Sequence, residues 1–190
     1  MLDLIRNSAV FVDSADTIPM IPRERTCCFT GHRTEKLPAE RAQIEYLRKI
    51  VSDTAAILYY KGVNIFMTGM ARGFDLLAAE AVAFDPDIGS NIRLVCAMPY
   101  AEHRREMKTQ QEDELYRRLM KRADMIVCLG DSYFKDCYRL RNSFMINNST
   151  NLIAYLKDDD SWRSGTGMTC NLAKKAGHNM YMIYEKDLRV

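Results

Sequence analysis

The chain has 190 residues, enough for one α/β domain with a sizeable core, and its 47% hydrophobic content is ordinary for a globular fold. A formal net charge of +2 is too small to imply a nucleic-acid partner. The longest apolar runs fall far short of a membrane span and the start "MLDLIRNSAVFVDS" lacks a basic leader and cleavage pattern, so a cytoplasmic chain with no membrane partner is expected.

Residues 1–25 are weakly patterned and include Pro19 and Pro22; they read as an N-terminal extension holding one short helix, ahead of a single domain over 26–190. "TCCFT" (26–30) reads as a short buried strand. Apolar residues at Ile44, Leu47, Ile50, Val51, Ile57 and Leu58 predict a helix over 39–62 that stops at Gly62. "VNIFMT" (63–68) is the next strand and "FDLLAAEAVAF" (74–84) the next helix. "IRLVCAMP" (92–99) is a strand that Pro99 ends. A charged helix over 104–122 precedes the strand "DMIVCLG" (124–130). A helix around 138–149, the strand "NLIAYL" (151–156), a helix over 168–176 and a last strand "NMYMIY" (179–184) complete the chain. Alternation of β and α predicts a Rossmann-like three-layer α/β/α fold with a mostly parallel sheet.

Cys27, Cys28, Cys96 and Cys128 sit inside apolar runs, and none of the six cysteines forms a C-x-x-C pair. Buried thiols in a reducing compartment are expected, with no metal site and no disulfide framework.

Ligands of open parallel sheets bind outside the carboxyl ends of the strands, near the point where strand order reverses. That rule selects "TGHRTEKLP" (30–38), "TGMARGFD" (68–75), "MPYAEHR" (98–104), "GDSYFKD" (130–136) and "SGTG" (164–167). In "TGMARGFD", Gly69 and Gly73 flank Met70, Ala71 and Arg72 between a strand and a helix. Glycines let backbone amides approach an anion, the helix start adds positive charge, and Arg72 would add a charge-assisted bond. A tight turn with a solvated arginine is the alternative, and spacing alone leans only slightly toward phosphate. It is neither a P-loop nor a full G-x-G-x-x-G. Asp75 reads as a first-turn acid.

Thr30, Gly31, His32 and Arg33 are placed at the sheet's carboxyl edge, with His32 a candidate donor or acid/base and equally a loop histidine satisfied by backbone. In "SGTG" the backbone amides at Gly165 and Thr166, with the Ser164 and Thr166 hydroxyls, offer a second anion cradle, and a polar helix-capping loop is the alternative. Arg141 and Asn142 begin a helix within reach of a base or phosphate, and Pro99 completes the candidate lining. His103 and His178 lie in surface-like contexts and receive no role. The basic residues from Arg104 to Arg122 are interleaved with acids and read as a solvated face.

"CCFTGHRTEKLP", "TGMARGFDLLAAEAV", "RNSFMINNSTNLIAYL" and "SGTG" followed by "LAKKAG" together resemble the YpsA-like branch of the SLOG superfamily, from about Thr26 to Tyr184. "TGMARGFDLLAA" is also similar to a segment of DprA-type proteins. The resemblance implies a Rossmann-like domain that binds a nucleotide or nucleotide-derived ligand of the NAD, ADP-ribose or nucleoside phosphate type, without a required cofactor, and a homodimer.

Lonely Guy enzymes of the superfamily cleave nucleoside monophosphates and carry P-G-G-x-G-T-x-x-E. Laid on this chain, Gly165 and Thr166 keep the G-T. Ser161, Trp162 and Arg163 replace the proline and glycines, and the acid falls on Thr169. Asn147 likewise stands where the YpsA-like pattern has aspartate. Binding or sensing is therefore the expected function, with catalysis leaning absent. One alternative is N-glycosidic cleavage with His32 or Glu80 as acid/base. The other is DprA-like single-stranded DNA binding, disfavoured by weak net charge and by the lack of an interleaved aromatic–basic stretch.

Overall fold

The computed structural model describes residues 10–12, 20–158 and 162–188. Twelve elements follow in order: β1 (Val10–Val12), β2 (Thr26–Gly31), α1 (Arg41–Tyr60), β3 (Ile65–Thr68), α2 (Phe74–Ala83) and β4 (Arg93–Met98), then α3 (Gln110–Arg122), β5 (Met125–Cys128), α4 (Cys137–Asn147), β6 (Asn151–Leu156), α5 (Gly165–Lys175) and β7 (Asn179–Tyr184). The seven strands form one sheet in the order β1-β5-β4-β3-β2-β6-β7, and every pairing is parallel.

Strand alternation divides the core into two. Cys27, Phe29, Phe66, Leu94 and Ile126 pack with the α1–α3 side, whereas Cys28, Met67, Val95 and Val127 pack with the α4–α5 side. Buried on both faces, the strands read as continuous apolar runs, as parallel strands should. Helix α1 buries Leu47, Val51, Ala55 and Leu58, one face at near-helical spacing, and ends before Gly62 at φ 95°. Helix α2 is buried almost throughout, since it is covered by both α1 and α3.

Three local differences from the sequence reading have physical causes. The extension contributes strand β1, paired with β5, at the sheet edge; the rest of the expected short helix lies outside the described residues except for Met20 onward. The predicted helix over 104–122 is divided into a 3-10 turn at His103–Glu106 and α3, because the Thr109 side chain accepts the Glu112 amide at 3.2 Å and starts a new helix. Helix α5 begins at Gly165, three residues earlier than expected, because Ser164 caps it by accepting the Gly167 amide at 3.1 Å. All six cysteines are buried, and none of them forms a disulfide. No helix among the described residues is long and apolar enough to cross a membrane.

Candidate functional site

Strand β2 is the pivot of the sheet: β3, β4 and β5 extend to one side, β6 and β7 to the other. Helices leave β2 and β6 on opposite faces, so their carboxyl ends open a crevice. A cleft of about 470 Å³ lies there, within the usual range for small-ligand sites. Thr30, Gly31, His32, Arg33, Ala71, Arg141, Asn142, Gly165 and Thr166, all expected from sequence, line it. So do Glu35, Lys36, Asp75, Tyr138 and Ser164.

Gly69, Met70, Arg72, Gly73 and Pro99 do not line the cleft, and the Gly-rich turn explains why. Its anion is internal. The Asp75 carboxylate accepts the Gly69 and Ala71 amides and lies 3.8 Å from the Arg141 guanidinium. Arg141 also donates to the Gly69 carbonyl. The buried Thr68 hydroxyl donates to the Asp75 carbonyl at 3.1 Å and accepts the Met70 amide at 3.1 Å, holding Met70 at φ 56°. Burial raises the Asp75 carboxyl above its ordinary range, while Arg141 and Arg33 draw it down. Gly73, at φ 90°, is pressed against the backbone of His32, Arg33 and Thr34, and Phe74 donates its amide to the His32 carbonyl at 3.0 Å.

Arg72 is equally committed. Its side chain is 9% exposed and binds Glu35 at 2.5 Å and Glu112 at 3.2 Å. Glu35 also takes Lys108 at 3.2 Å, and these partners hold its carboxyl down at about 2. This cluster fastens the loop after β2, one wall of the cleft, to α2 and α3.

On the other side a side-chain relay joins α4 to α5. Arg141 donates through Nε to Asn142 Oδ1 at 2.7 Å, and Asn142 Nδ2 donates to Thr169 Oγ1 at 2.8 Å. Thr169 Oγ1 donates to the Gly165 carbonyl at 3.0 Å. Both polar ends of Asn142 are therefore occupied by protein. Thr169, at the acid position of the Lonely Guy pattern, is buried and structural here. Asn147 is the last residue of α4 and exposed, about 15 Å along the helix from its cleft end.

Polar groups not used by the protein remain in the cleft. Arg33 and Lys36 make no salt bridge among the described residues. His32 is 4% exposed and its Nε2 has no hydrogen-bond partner there. The first amides of α5, at Gly165 and Thr166, lack intrahelical acceptors by construction, while that of Gly167 is capped by Ser164. Glu80 lies elsewhere: it pairs with Arg48 at 2.5 Å and Arg118 at 3.3 Å in a separate outer depression beside Phe84.

His103 and His178 are buried, contrary to the surface setting expected for them. His103 is enclosed by the rings of Tyr100, Tyr116 and Tyr138, at centroid distances of 5.6, 6.2 and 6.2 Å. Burial, then Arg141 and Arg33, push its pKa down to about 3, and burial lowers His32 and His178 as well. A histidine with a lowered folded pKa contributes stability above its unfolded value of roughly 6.5 and loses it as pH falls. The melting temperature is therefore expected to decline from about pH 6.5 to 4.5, before most carboxylates titrate, with Asp75 opposing the trend. His103→Phe should flatten that decline; an unchanged slope would contradict the assignment.

Tyr138, Glu35 and Lys36 are lining residues that sequence reasoning did not single out, while Asp75 is the first-turn acid of α2, as expected, and lines the cleft as well. The signal for Tyr138 was present: "YFKDCYR" (133–139) does interleave aromatic and basic residues, against the expectation that no such stretch exists.

A seven-stranded parallel sheet with a cleft at its switch point defines a Rossmann-like α/β domain. The YpsA family model, described as YspA SLOG family, matches residues 27–188, and the chain belongs to that family. Among solved structures it is similar to DNA processing protein A of Streptococcus pneumoniae, with 16% identity and a TM-score of 0.56, covering 85% of this chain and 50% of that one. It is also similar to DNA processing protein A of Helicobacter pylori, a protein described as binding single-stranded DNA. There the identity is 15% and the TM-score 0.58, over 84% of this chain and 65% of the other. This chain thus matches half to just under two thirds of those proteins, and the likeness is one of fold. No match was found among curated proteins.

Proposed function

We propose that the cleft binds a nucleotide or nucleotide-derived ligand of the AMP, NAD or ADP-ribose type. The observation that carries this reading is the unspent cationic and donor set: Arg33 and Lys36, which make no salt bridge among the described residues, beside the first turn of α5 and the His32 Nε2, which has no hydrogen-bond partner there. A helix start and free cations together favour an anion. Membership of the SLOG family supports a nucleotide as that anion.

Binding or sensing is favoured over turnover. Thr169 is tied into the relay, and Glu80 is held by two arginines outside the cleft. Asp75, the buried carboxylate of the cleft, is already bound by amides and Arg141. A panel of nucleoside monophosphates incubated for hours should yield no free base.

A ligand at one hundred times its Kd stabilises by about 2.7 kcal/mol, which for a chain of this size raises Tm by roughly 5–11 °C. At least one of AMP, NAD and ADP-ribose at millimolar concentration is expected to produce a shift on that scale. Unchanged melting with all three would overturn the reading.

A further inference from the structure

The cleft has an aromatic edge whose inner part is closed and whose outer part is open. Tyr138 is half-buried and lines the cleft, Tyr133 is 66% exposed just outside that lining, and Tyr100 and His103 are buried. The rings are joined edgewise: Tyr133 stands 5.9 Å from Tyr100 and 6.3 Å from Tyr138. Arg33 lies over the Tyr138 ring at 5.7 Å, so a free guanidinium and a phenol share one wall. Tyr133 belongs to residues 131–136, all exposed, between β5 and α4. Asp136 turns that loop at φ 69° and delivers Tyr138 into the first turn of α4.

A phosphate or a sugar phosphate has no use for such an edge. Tyrosines that meet at an angle, one of them under a guanidinium, suit a flat π-system, which can lie against a phenol face or beside the cation. The α5 start, with its donor amides, lines the same cleft and suits an anion. One ligand spanning both needs an aromatic ring at one end and a negative group at the other.

We infer that Tyr138 and Tyr133 form a base subsite, and that the ligand is a nucleotide recognised through its base as well as its phosphate. This rests on the nucleotide reading above. The loop over 131–136 is then the element that determines how tightly the base is covered.

The test compares AMP with ribose 5-phosphate by titration calorimetry on the wild-type chain and on Tyr138→Ala and Tyr133→Ala. Wild type is expected to bind AMP at least about ten-fold more tightly than ribose 5-phosphate, in line with the usual worth of a base–aromatic stack. Tyr138→Ala should remove most of that advantage while leaving ribose 5-phosphate within about two-fold. Tyr133→Ala, on an exposed loop where folding is not at stake, should remove part of it. Equal wild-type affinities, or variants that weaken both ligands alike, would overturn the base subsite and leave the anion site standing. Failure of wild type to bind AMP at millimolar concentration would overturn the subsite, and failure to bind NAD and ADP-ribose as well would overturn the nucleotide reading itself.

Discussion

Asp75→Ala is expected to lower the melting temperature by about 10 °C. Removing one member of a buried ion pair typically costs 3–5 kcal/mol, and each kcal/mol moves Tm by about 2–4 °C in a chain of this length. The reason lies in what is left behind. Arg141 is 4% exposed and would keep its charge with no carboxylate beside it, while the Gly69 and Ala71 amides would lose their acceptor. Adding Arg141→Met to that variant should recover part of the loss, because an apolar side chain does not need a counter-ion. A fall of less than about 3 °C for Asp75→Ala would show that the turn is not organised around this carboxylate.

Gly73→Ala is expected to destabilise by about 2–4 kcal/mol, from a strained φ together with overpacking. The φ of 90° excludes most side chains, and a Cβ there would lie 2.6 Å from both the His32 carbonyl oxygen and the Arg33 carbonyl carbon. Those are backbone atoms, so the loop carrying His32 and Arg33 would have to move. Gly165→Ala is the matched control: a Cβ at Gly165 meets nothing within 4 Å, and stability should stay within about 0.5 kcal/mol. Thermal melts of the two variants side by side check both. Equal stability losses would contradict the packing account.

These two results bear on how far the sequence could be read. The strands were legible because parallel strands buried on both sides appear as unbroken apolar runs, and helix α1 because its buried face repeats at helical spacing. The special status of Gly69 and Gly73 was legible too, but its cause was not. A Gly-rich strand-to-helix turn looks the same on paper whether its amides hold a ligand's phosphate or the chain's own Asp75. Deciding that needs the position of Arg141, 72 residues further along and hydrogen-bonded to the Gly69 carbonyl.

Arg72 shows the same limit. It looked like a free phosphate ligand, yet its partners Glu35 and Glu112 lie 37 and 40 residues away and come to it only through the fold. Arg33 and Lys36 became informative for the opposite reason: neither makes a salt bridge among the described residues. Tyr138 was not legible as a lining residue because a tyrosine in the first turn of a helix is as readily core as surface, whereas Arg141 and Asn142, one turn further along α4, carry polar groups that are mostly satisfied within the protein. Aromatic residues next to cations in "YFKDCYR" were the sequence signal for the aromatic residues beside the cleft.

The central claim is that the β2–β6 cleft binds a nucleotide through the cations the protein leaves unpaired. Calorimetric titration of ADP-ribose into wild type and into Arg33→Ala/Lys36→Ala tests it most directly. The account predicts one site per chain in the wild type and at least about a ten-fold weaker Kd in the double variant, whose unliganded melting temperature should stay within about 3 °C, because neither side chain makes a salt bridge among the described residues and Arg33 loses only its contact with the Tyr138 ring. Equal affinities in the two proteins would contradict it.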